Sequence, residues 1–171
     1  AEMITNNKSW KLTVNGYGEM VYRLFADEAP RPVGRIEALT NSGFYNQTAS
    51  NKIIFHRVID NFVLQAGDPT GTGSGGSTLG NFDDQFDVDL QHNRTGILSY
   101  AKSSDDTNDS QFFITEGPQR HLDFNHSIFG QIIEGDAVRE GISRTKVTND
   151  RPDTEISIKS AEIFQDTENG L

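Results

Sequence analysis

Short apolar runs, each ended by glycine, proline, asparagine or aspartate, recur along this chain and limit what it can fold into. Strand-like runs lie at 53–59, 62–66, 97–100, 111–115, 127–133 and 156–164, too short for bundle helices and bounded by turn formers. Ahead of them, KLTVNGYGEMVYRLF sets two partly alternating runs around Asn15-Gly16, a hairpin signature. Two segments show helical spacing instead. Pro30 and Pro32 precede Val33, Ile36 and Leu39, with Ser42-Gly43 as the stop; Gly135 to Ser143 carries Val138 and Ile142. About eight strands and two helices predict a mainly β fold, a closed eight-stranded antiparallel barrel capped by two α-helices. The interior of such a barrel is just wide enough to fill with side chains. Any site therefore belongs outside it.

Neither repeat nor linker divides the 171 residues, so one domain spanning 1–171 is expected. A domain of this size buries roughly 70% of its unfolded surface. The 25 acidic and 15 basic residues leave a net charge of −10, which argues against a nucleic-acid partner. No run approaches the length of a bilayer span, so no membrane insertion is expected. The absence of cysteine excludes disulfides and thiolate chemistry and leaves the redox compartment open. A start at Ala1-Glu2-Met3 suits a processed or excised domain and tilts the expectation toward a secreted or periplasmic location.

Candidate motifs are weak. Gly71-Thr72-Gly73-Ser74-Gly75-Gly76 matches GxGxxG, but no helix opens at these glycines and no Lys-Ser/Thr pair follows. A surface loop is the better reading. His121, Asp123 and His126 lack the spacing of a zinc site. The clusters Asp83-Asp84, Asp87-Asp89 and Asp105-Asp106 lack the order of a calcium loop. A Ser–His–Asp triad has no sequence support. Neither metal nor cofactor is expected.

The stretch FHRVIDNFVLQAGD is harder to dismiss, because His56, Arg57 and Gln65 interrupt apolar runs. Polar groups in such places are either paired in the core or turned toward a site. Together with GTGSGG after it, then GILSYAKS, SQFFIT and HLDFNHSIFG, this stretch resembles in order and spacing the signature segments of the cyclophilins, the peptidyl-prolyl cis–trans isomerases. A fainter likeness runs through YRLFADEAPRPVGRIEALTNSGFY and ISIKSAEIF, so that nearly the whole chain is covered.

The resemblance implies an eight-stranded barrel with two helices and an enzyme that turns X-Pro bonds, assisting protein folding. It makes Arg57 the catalytic residue, Phe62 part of the proline pocket and Gln65 an amide beside the bound peptide. Ala101, Gln111, Phe113, Leu122 and His126 fall on groove positions, and main-chain groups near Lys102 hold the flanking peptide. His56 matches a residue pointing elsewhere and is expected to be a satisfied structural histidine. Departures from the commonest pattern are Val63 for methionine, Tyr100 for methionine, Lys102 for asparagine, Asp109 for glycine and His121 for tryptophan. The partners implied are proline-containing polypeptide segments, met by a monomer, with weak binding of cyclosporin because of His121. The competing reading is a non-catalytic module for proline-containing segments.

Overall fold

A computed structural model describes residues 7–165. Asn7–Val14 (β1) and Gly18–Phe25 (β2) form the hairpin expected at Asn15-Gly16. Gly16 supplies the positive φ (80°) that the turn requires. Pro30–Asn41 (α1) begins on proline, whose missing N–H costs nothing in a first turn. It buries Val33, Ile36 and Leu39. It ends where Gly43, at φ 81°, donates its N–H to the Thr40 carbonyl, and the Phe44 N–H reaches Leu39 O.

Next come Arg57–Ile59 (β3), Val63–Ala66 (β4), Ile97–Tyr100 (β5), Phe112–Thr115 (β6) and Ile128–Glu134 (β7). Asp136–Ser143 (α2) follows, capped by Gly135 at φ 85°. Val147–Thr148 (β8), Arg151–Pro152 (β9) and Ile158–Gln165 (β10) complete the order. The hairpin β8–β9 was not anticipated, although Asn149 and Asp150, both at positive φ (52° and 67°), carry the signal for a two-residue turn.

The eight main strands pair antiparallel in the order β10-β1-β2-β7-β5-β6-β4-β3. The run expected as one strand over 53–59 is regular only at β3. Its first half makes a single bridge, Ile54 to Ser157, backed by Phe55 N–H to Ile156 O (2.9 Å) and Ile158 N–H to Ile53 O (2.9 Å). That short contact, rather than a full ladder, joins the two edges of the barrel. The interior is filled by Trp10, Tyr22, Tyr45, Phe55, Tyr100, Phe112 and Phe129, all fully buried. Their polar tips are satisfied: Trp10 Nε1 donates to Thr40 Oγ1 (2.9 Å), Tyr45 OH to Ser110 O (2.9 Å) and Tyr100 OH to Pro32 O (2.8 Å). No helix among the described residues is long and apolar enough to cross a membrane.

Candidate active site

Strand alternation builds the site. On β3, β4, β5 and β6 the residues Val58, Leu64, Ala66, Leu98, Phe112 and Ile114 face the core, so their neighbours must face outward. The register aligns four of these outward positions. Arg57 pairs with Gln65, Gln65 with Phe113, and Phe113 with Ser99. His56, just before β3, is buried, whereas Arg57, the first residue of β3, is exposed.

Around Phe113 a small apolar cluster forms, apart from the barrel core. Val63, Phe113 and Leu122 are its buried members, with Phe62 and Ala101 packed against them. The His126 ring meets Phe113 edge-on at 5.4 Å and 83°. Its Nδ1 lies 2.9 Å from Tyr100 O, and burial pushes its pKa below the usual value, so a neutral ring donates there. His121 is exposed and stacks on Phe62, with centroids 5.7 Å apart. The turn Arg120–Leu122, a single 3₁₀ turn, presents it.

A chain of amides runs along one wall. Arg57 Nη1 reaches Gln65 Oε1 at 3.4 Å, Gln65 Nε2 donates to Gln111 Oε1 at 3.0 Å, and Gln111 Nε2 donates to Gly73 O (2.9 Å) and Gly75 O (3.0 Å). These bonds fix which end of each amide points where. Arg57 has no carboxylate partner among the described residues. The glycine-rich loop wraps the buried Asp68 carboxylate, which accepts from the N–H groups of Thr70 (2.7 Å), Thr72 (3.0 Å) and Gly73 (2.6 Å). Burial alone would raise the Asp68 pKa, but the Thr70 hydroxyl and the N–H groups of Gly75, Thr70 and Gly73 outweigh it and hold the group well below the carboxylate range. No room remains for a side chain at Gly75, where a β-carbon would stand 2.1 Å from Asp68 Oδ1.

Between this loop and residues 101–111 opens a cavity of about 470 Å³, lined by Gln65, Ala101, Lys102, Thr107, Asp109 and Gln111 among others. Two of its charges are already engaged. Lys102, whose side chain is only 3% exposed, binds Asp84 (2.7 Å) and Asp105 (3.2 Å). Asp109 binds Arg35 at 2.9 Å and accepts the Ser77 N–H at 2.7 Å. The Lys102 ammonium is therefore already paired with carboxylates.

Residues 9–163 match the family model described as cyclophilin type peptidyl-prolyl cis-trans isomerase. The chain belongs to the cyclophilin family. A Rhizopus delemar peptidyl-prolyl cis-trans isomerase-like 2 is 39% identical over 162 residues, 93% of this chain but 30% of that relative's length. The peptidyl-prolyl cis-trans isomerase ppi1 of Schizosaccharomyces pombe is 43% identical over 139 residues, 79% of this chain and 86% of the relative. Among solved structures, a Cryptosporidium parvum cyclophilin-type isomerase determined in the presence of the dipeptide Ala-Pro superimposes with a TM-score of 0.84. It is 35% identical, and the match covers 91% of this chain and 98% of that one.

Two features of this cyclophilin were not anticipated from its sequence. His56 is buried as expected of a structural histidine, but it is not satisfied. Among the described residues neither ring nitrogen has a hydrogen-bond partner of good geometry, the Ile54 backbone offering only a weak one. Burial accordingly pushes its pKa down and keeps it neutral. The second is a Ser99–His92–Asp123 constellation. His92 Nδ1 stands 3.0 Å from Asp123 Oδ1 and Nε2 3.1 Å from Ser99 Oγ, while Ser99 Oγ also lies 3.2 Å from Ser127 O. Burial lowers the His92 pKa to about 4 against the opposing pull of Asp123. The contact is thus a hydrogen bond from a neutral ring rather than an ion pair. His92 and Ser99 are fully buried, so the serine reaches no substrate. These residues, at 92, 99 and 123, converge only through the fold. Sequence spacing carries no trace of them.

Proposed function

We propose that this chain acts as a single cyclophilin domain that isomerises X-Pro bonds in flexible polypeptide segments, with Arg57 as its catalytic residue. The observation that carries the reading is the row Arg57–Gln65–Phe113, in which an exposed guanidinium with no carboxylate partner among the described residues stands on the same face as the buried Phe113 of an apolar pocket. Phe62, Val63, Ala101, Phe113, Leu122 and His126 grip the pyrrolidine ring. Gln65, Gln111 and the main chain at Lys102 hold the flanking peptide, and His121 covers the outer edge.

The barrier of about 18–20 kcal/mol is amide resonance. In the twisted transition state the prolyl nitrogen loses that resonance and regains a lone pair. A fixed cationic donor binds this state better than either planar form, which is differential transition-state binding. Arginine suits the task because it stays protonated and presents a rigid fork. Gln65 supports the aim by accepting from Nη1. The reaction needs no nucleophile and no proton transfer to a side chain.

NMR exchange on a short X-Pro peptide, wild type against Arg57→Ala, tests this. Wild type is expected to accelerate exchange and the variant to bind without doing so. Wild-type binding without acceleration would replace the enzyme reading by a binding module. Two narrower expectations travel with the proposal: a monomer in solution, and weak affinity for cyclosporin.

A further inference from the structure

We infer that Phe86 and Phe124 form an apolar platform beside the proline pocket that docks a bulky apolar residue of the client, flanked by lysine or arginine. This extends the isomerase reading and rests on it. The two rings are 44% and 52% exposed and touch one another edge to face, 6.4 Å between centroids at 78°. Single exposed apolar side chains are ordinary; here two large ones touch and form one contiguous apolar patch.

Phe124 stands at φ 57°, in the left-handed region. A bulky side chain is a true outlier there, and glycine would occupy the same backbone without strain. Strain of this kind clusters at binding and active sites. With half of Phe124 open to solvent, packing alone does not account for the ring.

The platform is continuous with the proposed groove. Phe124 lies in the tight turn where the N–H groups of Asn125 and His126 both reach Leu122 O at 3.1 Å. Leu122 packs in the apolar pocket and His126 sits on Phe113. Phe86 lies under Lys102, whose ammonium is 6.0 Å from the ring centroid.

Charge identifies the occupant. FDDQFDVDL carries Asp83, Asp84, Asp87 and Asp89 around Phe86 with no base among them. Asp105, bound to the same lysine, has a side chain 85% exposed. Against these acids stand Lys102, paired with Asp84 and Asp105, Arg120, paired with Asp123, and Arg31, whose Nη1 donates to the Asp84 carbonyl, so the surround stays acidic on balance. An apolar pair set in an acidic surround fits a cationic, apolar segment, and an acidic one would be repelled.

The test uses the full chain and a Phe86→Ser/Phe124→Gly double variant, the glycine suiting the backbone it replaces. The probes are an Ala-Pro core peptide and the same core extended on either side by Lys-Phe-Lys, with Lys-Ala-Lys and Glu-Phe-Glu extensions as controls. Affinity is read by titration and turnover of the core by NMR exchange. One Lys-Phe-Lys peptide is expected to bind wild type about tenfold tighter than the core does. That ratio should fall to about one in the double variant, and in wild type with either control extension. No advantage in wild type, an advantage that survives in the double variant, or one equalled by Lys-Ala-Lys overturns the platform. Absence of core turnover in wild type overturns the isomerase reading instead, while the affinity ratio still judges the platform.

Discussion

The imidazole of His92 lies nearly parallel to the ring of Phe113, 16° off and 6.0 Å between centroids. A neutral, fully buried histidine thus backs the wall of the apolar pocket, held by Asp123 and Ser99. Its protonation therefore bears on stability and on the pocket together.

The first prediction concerns pH. His92 takes up a proton near 6.5 when unfolded but only near about 4 when folded. Below pH 6.5 the unfolded chain binds a proton that the native chain refuses. Stability is then complete above pH 6.5 and declines as pH falls to about 4, by roughly 3 kcal/mol for this group. His56 and His126, also lowered, act in the same direction. Urea denaturation at pH 7.0 and 4.5 should show a smaller difference for His92→Gln than for wild type. An unchanged difference would remove His92 from this account.

Arg57→Lys tests the geometry of the cation. Lysine keeps the charge and loses the planar fork. Turnover should drop by about 10²-fold, the scale seen when one transition-state donor is removed, while peptide affinity stays within a few-fold. Equal catalytic efficiency in the variant would contradict the role given to Arg57.

Asp68→Asn tests the loop that positions Gln111. Asparagine puts an amide donor where N–H groups converge, so roughly 2–3 kcal/mol of stability should be lost at neutral pH. Because the folded carboxyl is held well below 3.8, wild type keeps this contribution above that pH and loses it as pH falls further. The variant's deficit should therefore shrink in strong acid. Calorimetry on both proteins across the acid range checks it, and equal stability at pH 7 would refute it.

His121 sets the inhibitor prediction. Cyclosporin-sensitive cyclophilins generally carry tryptophan at this position, and here an exposed histidine stacks on Phe62 instead. A smaller and more polar ring covers less of an apolar ligand. His121→Trp should tighten cyclosporin inhibition by about one to two decades, equivalent to roughly 1–3 kcal/mol. Equal inhibition of the two proteins would show that neighbouring side chains fill the space.

The hairpin at Asn15-Gly16, both helices and most strands were legible in the sequence because each depends on local chemistry. A proline opens α1, glycines stop or cap the helices, and alternation marks the strand faces. The residues proposed for the groove were named through resemblance, and of these Phe62, Val63, Ala101, Phe113 and Leu122 lie in one apolar cluster. Three things needed the tertiary structure. Whether His56 was satisfied depended on what the barrel packs around its ring, and that turned out to be no good partner. The side chain of Lys102 turned to Asp84, eighteen residues away in sequence, because a buried ammonium seeks the carboxylate the fold brings within 2.7 Å. The alignment of Arg57, Gln65, Phe113 and Ser99, and of His92 behind them, rests on strand register. Alternation tells which face a residue takes, but only inter-strand hydrogen bonding decides which residues of different strands stand side by side.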